Sequence, residues 1–298
     1  MLIVVPSRLY GSERLNIPYA TEGANHAKQQ LDVLLPWTGG APPFPVMMAI
    51  HGGGWQTGDK SLPGSSHPLT DPRANGIAVV TINCRLSRDA PWPAQIHDCK
   101  AALRWISVHG WKYHLDPRRV STWGISAGGH LALLLATTQH ITTLSGAQGN
   151  AAGHEKLKCA IGWWNPTKFW EEDADFALQA TPNGRGYNVC STVSEEAELL
   201  GGAGTGVNPC SGGGLTKATE ASPYTYVSKY AAPMRIEHGE NDATVPWKQG
   251  ENFHTAAVAA GANSTFFKRV GYGHGIGTGW STDTALRAAQ ITFLQTYL

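Results

Sequence analysis

Short apolar runs of strand length recur along the chain, and many are rich in β-branched residues. They lie at residues 30–35, 46–50, 77–82, 120–123, 158–164, 234–238 and 265–270. Segments with helical periodicity lie between and after these runs, at residues 93–109, 127–139, 247–260 and 283–298. Apolar strands that alternate with helices are typical of a parallel sheet covered on both faces. The pattern therefore predicts an α/β fold with a mostly parallel, doubly wound sheet and helices on both faces.

Residues 165–230 break this alternation. Their centre, residues 201–214, is rich in glycine and loop-like by composition. We expect a loop-rich cap insertion over one end of the sheet, within a single domain that spans residues 1–298. A disordered surface loop is the alternative interpretation of the same composition.

The charge balance narrows the range of partners. The 298 residues include 23 Lys and Arg against 22 Asp and Glu, for a formal net charge of +1. This balance offers no electrostatic footprint for nucleic acid or an anionic membrane. The longest apolar runs, such as residues 131–136, fall far short of the roughly 18 residues that span a bilayer. We expect a soluble protein with neither partner, and the composition leaves the oligomeric state open.

Residues 124–128, Gly-Ile-Ser-Ala-Gly, match the nucleophile-elbow pattern G-x-S-x-G. The pattern alone is weak, but its context fits, because an apolar strand precedes it and a long apolar helix follows. Such a turn exposes the serine, here Ser126, and aims the first amides of the helix at a developing oxyanion.

A second glycine-rich motif, residues 51–55 (His-Gly-Gly-Gly-Trp), directly follows the predicted strand 46–50 and matches an oxyanion loop. Successive glycines let backbone N–H groups approach a substrate oxygen with no side chain in the way. We expect the amides of Gly53 and Gly54, together with that of Ala127, to form the oxyanion hole. His51 is expected to order this loop and not to transfer a proton.

The remaining members of a serine triad should follow in the order acid, then histidine, each after a strand. Asp242 lies in the loop after strand 234–238, and His274 lies in the glycine-rich loop after strand 265–270. Asp242 is preferred over Glu237, which lies within the strand, and over Glu240, which precedes the apex of the loop. The sequence thus predicts a Ser126, Asp242, His274 triad.

These motifs together resemble the α/β-hydrolase carboxylesterases, and more narrowly the acetyl-xylan and feruloyl esterase-like branch related to the hormone-sensitive-lipase group. The resemblance covers about residue 31 to the C-terminus and rests on residues 51–55, 58–60, 83–87, 98, 124–130, 221–223 and 238–246. It implies the α/β-hydrolase fold. Two departures concern the pocket: a long glycine-rich stretch containing Cys190 and Cys210, and Asn83 where an aromatic residue is common.

The five cysteines are too few for a disulfide scaffold. Cys84, Cys99 and Cys159 fall on predicted strands and a helix and are most simply buried thiols. Cys190 and Cys210 bracket the glycine-rich loop, and we predict a disulfide between them.

A disulfide would indicate an oxidising compartment, extracellular or periplasmic, and its absence would favour the cytoplasm. Residues 1–6 are apolar but lack a basic segment before them and a cleavage site after them, so as they stand they do not match a signal peptide. A longer precursor is the alternative.

Tryptophans supply the candidate substrate surfaces. Trp163, Trp164 and Trp170 lie at the entrance to the insertion, and Trp55 lies beside the oxyanion loop. They could stack against an aromatic acyl group or a sugar ring, with core packing as the alternative. The metal and dinucleotide motifs H-E-x-x-H, paired C-x-x-C and G-x-G-x-x-G after a first strand do not occur, so we expect neither a cofactor nor a metal.

The sequence therefore predicts a serine esterase that forms an acyl-enzyme and hydrolyses short-chain or aromatic esters. Feruloyl and acetyl esters of plant polysaccharide are the first candidates, as small molecules or linked to the polymer. An arylformamidase or another amide hydrolase on the same fold is the alternative. A non-catalytic binding module is disfavoured, since such modules generally lack a triad residue and all three candidates are present here.

Overall fold

A computed structural model describes residues 11–21, 26–62, 67–277 and 279–298. The apolar N-terminal segment, residues 1–6, lies outside these ranges. Within them, no helix is long and apolar enough to cross a membrane.

One eight-stranded sheet organises the chain, in the order β1-β2-β4-β3-β5-β6-β7-β8. Its strands are β1 (Glu13–Pro18), β2 (Gln30–Leu34), β3 (Phe44–Ile50), β4 (Ala78–Ile82), β5 (Leu115–Ile125), β6 (Ala160–Trp163), β7 (Met234–Gly239) and β8 (Ser264–Arg269). From β4 to β8 all neighbouring strands pair in parallel, whereas β2 pairs antiparallel with both β4 and β1. The mostly parallel sheet is confirmed.

Two strands differ from the prediction. The mostly exposed edge strand β1 was not predicted, because its alternation is obscured by charged and polar residues. Strand β5 begins at Leu115 and not at residue 120. Its polar first half is held by Asp116, whose carboxylate accepts hydrogen bonds from the side chains of Arg118 and Arg119.

The helices are α1 (Ala94–His109), α2 (Ala127–Thr137), α3 (Glu172–Ala177), α4 (Glu195–Gly201), α5 (Gly212–Ala221), α6 (Lys248–Ala259) and α7 (Thr284–Tyr297). The four long helices predicted from periodicity correspond to α1, α2, α6 and α7. Every residue of α2 is buried, as its uniformly apolar sequence predicts.

The core has two parts, one on each face of the sheet. Strand β3 shows why: Val46, Met48 and Ile50 pack with α1 and α2 on one face, whereas Met47 and Ala49 pack with α7 on the other. This alternation follows from the two-residue period of a strand. Both faces are therefore covered by helices, as predicted.

Residues 165–230 contain more regular structure than their composition indicates. They carry α3, α4 and α5, and Leu199 and Leu200 of α4 are buried in the main core. Ser194 caps α4, its hydroxyl accepting a hydrogen bond from the Ala197 amide at 3.1 Å. The alternative of a disordered loop is wrong, and α5 even begins within the glycine-rich stretch, at Gly212.

A disulfide joins Cys190 to Cys210 within this segment, with 5.2 Å between the Cα atoms. The other cysteines, Cys84, Cys99 and Cys159, are buried free thiols. The bond links the segment before α4 to the segment before α5, so it restrains the glycine-rich connection between these helices.

Replacing both Cys190 and Cys210 with serine should lower the free energy of unfolding by about 3 kcal/mol, since the bond closes a loop of 20 residues. Urea unfolding measures the change. Reductant should shift the wild type towards the variant and leave the variant itself unaffected. Equal stability of the two proteins, or alkylation of both cysteines in the folded unreduced wild type, would contradict the assignment.

Candidate active site

Ser126 stands on a sharp turn between β5 and α2, with φ of 54° and ψ of −124°. Such a conformation is unfavourable for a residue with a side chain and is found where the surrounding structure enforces it. The turn is held by two backbone hydrogen bonds, from Ser126 N–H to the Trp163 carbonyl at 2.9 Å and from His130 N–H to the Ser126 carbonyl at 3.0 Å.

The two glycines of the motif are required by close packing. A Cβ at Gly124 would lie 2.0 Å from the carbonyl oxygen of Gly128, and one at Gly128 would lie 2.3 Å from the carbonyl oxygens of Ile50 and His51. The first contact lets α2 start directly behind β5, and the second brings α2 against the oxyanion loop.

The three predicted triad residues lie in one hydrogen-bonded chain. His274 Nε2 is 3.0 Å from Ser126 Oγ, and His274 Nδ1 is 2.8 Å from Asp242 Oδ2. Because a carboxylate can only accept, Nδ1 carries the proton and Nε2 is free to accept the serine proton. The rejected acids have other partners: Glu240 pairs with Lys268, and buried Glu237 pairs with Arg235 and Arg269.

Asp242 is fully buried, and its carboxylate accepts several hydrogen bonds. Its Oδ1 accepts hydrogen bonds from the amides of Thr244 and Val245, at 2.8 and 2.9 Å. Burial alone would raise the pKa of this carboxyl, but the charge on His274 and the hydrogen bonds from His238 and His274 outweigh it and hold the pKa well below its usual range. The group is therefore ionised and able to stabilise a positive charge on His274.

Sequence reasoning did not identify His238, which is fully buried in β7. Its Nε2 lies 3.0 Å from the Val245 carbonyl and 3.4 Å from Asp242 Oδ2. It therefore approaches the same carboxylate oxygen of Asp242 that His274 Nδ1 contacts. A histidine four residues before the acid, at the end of a predicted strand, was the available signal.

The oxyanion loop adopts backbone angles that favour glycine, with φ of 114° at Gly53 and 58° at Gly54. A Cβ at Gly53 would lie 2.4 Å from the Thr57 carbonyl oxygen. Within the described part of the chain, the amides of Gly53, Gly54 and Ala127 donate to no protein acceptor, and all three residues line the cavity beside Ser126.

His51 bonds within its own loop, with Nδ1 2.7 Å from the Gly52 carbonyl oxygen. Burial lowers the pKa of its imidazole, which keeps the ring neutral. This geometry agrees with the expectation that His51 orders the loop.

Trp55 anchors the oxyanion loop to the rest of the fold. Its indole N–H donates to His130 Nδ1 at 3.3 Å, and His130 Nε2 donates to the Ala221 carbonyl at 2.7 Å. Burial lowers the pKa of His130 to about 4, so the ring is neutral and can accept from the indole. The loop is thereby linked to α2 and to the end of α5.

A cavity of about 460 Å³ opens over Ser126 and His274. Trp55 and Trp164 line it, as predicted, although both are almost fully buried. Trp163 and Trp170 do not, which corrects the sequence prediction. Trp163 is fully buried and packs against Trp123 and Trp280. The half-buried Trp170 packs against the core and lies beneath Lys168.

Residues of segment 165–230, for which we keep the label cap, hold the loop that carries Asp242. The sequence did not reveal these contacts. The side-chain amide of Gln179 donates a hydrogen bond to the Asp242 carbonyl at 3.0 Å. The backbone N–H of Gly184 donates to the Ala243 carbonyl at 2.7 Å. Arg185 Nε donates to the Thr244 carbonyl at 2.6 Å. Three consecutive carbonyls of the acid loop are therefore bound by the cap.

The guanidinium of Arg185 also holds two fully buried carboxylates. Its Nη1 donates to Glu196 at 2.9 and 3.1 Å, and its Nη2 donates to Glu172 at 2.9 Å. Burial raises the pKa of Glu172 well above its usual range, although the charge of Arg185 opposes the shift. The second oxygen of Glu172, Oε2, has no hydrogen-bond partner among the residues that the structure describes.

Among the described residues, no group of three or more His, Cys, Asp or Glu side chains is arranged to hold a metal ion.

The model of the BD-FAE family matches residues 31–257, which is more than half of the chain. The chain belongs to the BD-FAE family. The matched segment contains Ser126 and Asp242, and His274 lies beyond it.

Relatives of this BD-FAE chain include two proteins of Mycobacterium tuberculosis. LipM, named as a carboxylic ester hydrolase, is 31% identical over 241 residues, covering 80% of this chain and 50% of LipM. Esterase LipQ is 29% identical over 279 residues, covering 90% of this chain and 58% of LipQ. The chain thus spans between half and three fifths of the length of these relatives.

Solved structures give a fuller match. A truncated carbohydrate esterase from gut microbiota superposes with a TM-score of 0.81 and 27% identity, covering 97% of both chains. Esterase B from Lactobacillus rhamnosis, at 20% identity and a TM-score of 0.73, supports the fold alone. The α/β-hydrolase fold predicted from the sequence is confirmed.

Replacing Arg185 with methionine in this BD-FAE protein should lower the free energy of unfolding by about 3–5 kcal/mol, because Glu172 and Glu196 would lose the buried counter-charge that they share. Urea unfolding measures it. Arg88→Met is the matched control, since this exposed arginine only approaches Glu198, and it should have a much smaller effect. Equal effects of the two substitutions would contradict a structural role for the Arg185 cluster.

Proposed function

We propose that the protein is a serine carboxylesterase. The observation that carries the proposal is the hydrogen-bonded chain from Ser126 through His274 to buried Asp242, which opens into a cavity beside three unpaired amides. Nucleophile, base and orienting acid in this relation are the arrangement that acyl transfer requires. Kinship with the esterases LipM and LipQ supports the same reaction.

In the first half of the proposed reaction, Ser126 Oγ attacks the ester carbonyl carbon and its proton passes to His274 Nε2. The resulting imidazolium is stabilised by ionised Asp242. The amides of Gly53, Gly54 and Ala127 hold the negative oxygen of the tetrahedral intermediate, and one such donor is worth about 2.7–4 kcal/mol. The intermediate collapses as His274 returns the proton to the leaving alcohol.

The second half releases the acyl group from Ser126. His274, now neutral, accepts a proton from water, and the hydroxide formed attacks the acyl carbonyl. The same amides hold the second oxyanion, and His274 protonates Ser126 Oγ as the carboxylic acid leaves. These steps proceed with protein side chains and water alone.

For the substrate we propose short acyl esters, with acetyl and feruloyl esters of plant polysaccharide as first candidates. The close structural match to a carbohydrate esterase favours an ester of a sugar. The cavity of about 460 Å³ suits a small acyl group with part of its alcohol. With Trp163 and Trp170 outside the cavity, Trp164 is the wall that an aromatic acyl group would contact.

The disulfide supports a proposal for the compartment. Because Cys190 and Cys210 are bonded, we propose an oxidising environment, extracellular or periplasmic.

Ser126→Ala and His274→Ala should each lower kcat for p-nitrophenyl acetate by about 10⁴-fold or more, and the double variant should be little worse, because the two groups act as a unit. Initial rates measure this, and losses that multiply in the double variant would contradict it.

Asp242→Asn should lower kcat for p-nitrophenyl acetate by a comparable factor. Glu240→Gln is its matched control, two residues away in the same loop but paired with Lys268, and should change kcat little.

Rates on p-nitrophenyl acetate, butyrate, octanoate and palmitate should fall with acyl length, because the cavity is too small for a long chain. Methyl ferulate and acetylated xylan test the proposed natural esters, and N-formylkynurenine tests the formamidase alternative. A maximum at octanoate or beyond, with no turnover of either plant ester, would contradict the substrate proposal. Faster turnover of N-formylkynurenine than of any ester would favour the formamidase.

A further inference from the structure

One wall of the cavity is charged and comes from the cap. Glu195 and Glu196, at the start of α4, line the cavity together with Arg185. Counting Glu172 behind them, one guanidinium faces three carboxyl groups. Three carboxyl groups therefore share one cationic partner.

The three carboxyl groups are not equivalent. Glu172 and Glu196 are fully buried and bond directly to Arg185. Glu195 reaches Arg185 only at 3.7 Å, and its side chain is 30% exposed. It is the carboxyl group of the cluster that is open to solvent in the cavity.

Glu195 is also placed beside the oxyanion loop. A Cβ built on Gly54 would lie 3.0 Å from Glu195 Cγ. Its Oε2 accepts a hydrogen bond from the Tyr187 hydroxyl, whereas Oε1 accepts none from any other described residue. One carboxylate oxygen is thus fixed by the protein, and the other is available to a ligand close to the proposed reaction centre.

Burial and the neighbouring Glu196 carboxylate raise the pKa of Glu195, and the guanidinium of Arg185 opposes the shift. The other polar groups around the cavity add no positive charge. Burial lowers the pKa of both His51 and His67, so these rings are neutral. Asp59 also lines the cavity; burial opposes its ionisation, but hydrogen bonds from Asn83 and Ser61 lower its pKa to about 2. No lysine lines the cavity within the described residues.

We propose that Glu195 is a specificity-determining residue that accepts a hydrogen bond from a hydroxyl group on the alcohol portion of the ester and disfavours esters that carry a carboxylate there. The inference rests on the proposed serine esterase function and names its substrate class as uncharged, polyhydroxylated acetates. A hydroxyl group donates well to a carboxylate, whereas a second carboxylate meets like-charge repulsion that a partly desolvated cavity strengthens.

The test compares three acetates that share one acyl group. p-Nitrophenyl acetate has no hydroxyl group on its leaving group, methyl mono-O-acetyl-β-xylopyranoside is neutral and hydroxylated, and an acetylated methyl glucuronoside is its anionic counterpart. The enzymes are wild type, Glu195→Gln and Glu220→Gln. Glu220 is the matched control, because it is an exposed carboxylate of the cap that does not line the cavity.

The wild type should prefer the neutral sugar acetate over the anionic one. In Glu195→Gln, kcat/KM for the neutral sugar should fall about tenfold relative to that for p-nitrophenyl acetate, the size expected for a hydrogen bond to a charged group. The relative kcat/KM for the anionic sugar should rise. Glu220→Gln should match the wild type on all three, and Glu195→Asp, which keeps the charge, should restore much of the preference.

A merely structural role for Glu195 would lower all three rates by one common factor, and that result would overturn the inference. So would turnover of p-nitrophenyl acetate by the wild type with no hydrolysis of either sugar acetate, which would leave the esterase proposal standing. Failure of that proposal has a different signature, namely hydrolysis of p-nitrophenyl acetate that persists in Ser126→Ala.

Discussion

A side chain at Gly124 or Gly128 would collide with backbone carbonyl oxygens, and this steric constraint fixes the position of Ser126. The absence of a Cβ at Gly124 lets α2 begin immediately after β5. The absence of a Cβ at Gly128 lets α2 pack against the end of β3, where the oxyanion loop starts. The serine hydroxyl, the first amide of α2 and the amides of the loop therefore share one cavity because three backbone segments pack this closely.

The position and ionisation of the acid, Asp242, depend on hydrogen bonds and charges. Asp242 can be both buried and ionised because two backbone amides and two histidines surround its carboxylate. The loop that carries it is in turn bound by the cap, through Gln179, Gly184 and the buried cation of Arg185. The cap is thus part of the support for the acid as well as a wall of the cavity. This arrangement makes the position of Asp242 sensitive to the packing of residues 165–230.

Features of the fold and the site that depend on local sequence pattern could be predicted. The parallel strands and long helices follow from hydrophobic periodicity, and Ser126, Asp242 and His274 could be chosen because each falls in a loop directly after a strand. Features that depend on distant contacts could not be foreseen. Nothing in the local sequence around Arg185 indicates a buried residue. Its role depends on Glu172 and Glu196, which only the folded chain brings next to it.

The tryptophans show the same limit at the scale of single residues. Trp163 and Trp164 are adjacent and belong to the same buried cluster, but only Trp164, which follows the last residue of β6, also lines the cavity. The short helices of the cap were missed because their glycine-rich surroundings suggest a loop, whereas their stability comes from burying residues such as Leu199 and Leu200 against the main core.

Covalent labelling with a small alkyl phosphonate ester, followed by peptide mass spectrometry, tests most directly whether Ser126 is a nucleophile activated by His274. We expect one adduct per chain, on the peptide that contains Ser126, with labelling that is abolished in Ser126→Ala and strongly slowed in His274→Ala. An adduct on another residue, or undiminished labelling of the folded His274→Ala protein, would contradict it.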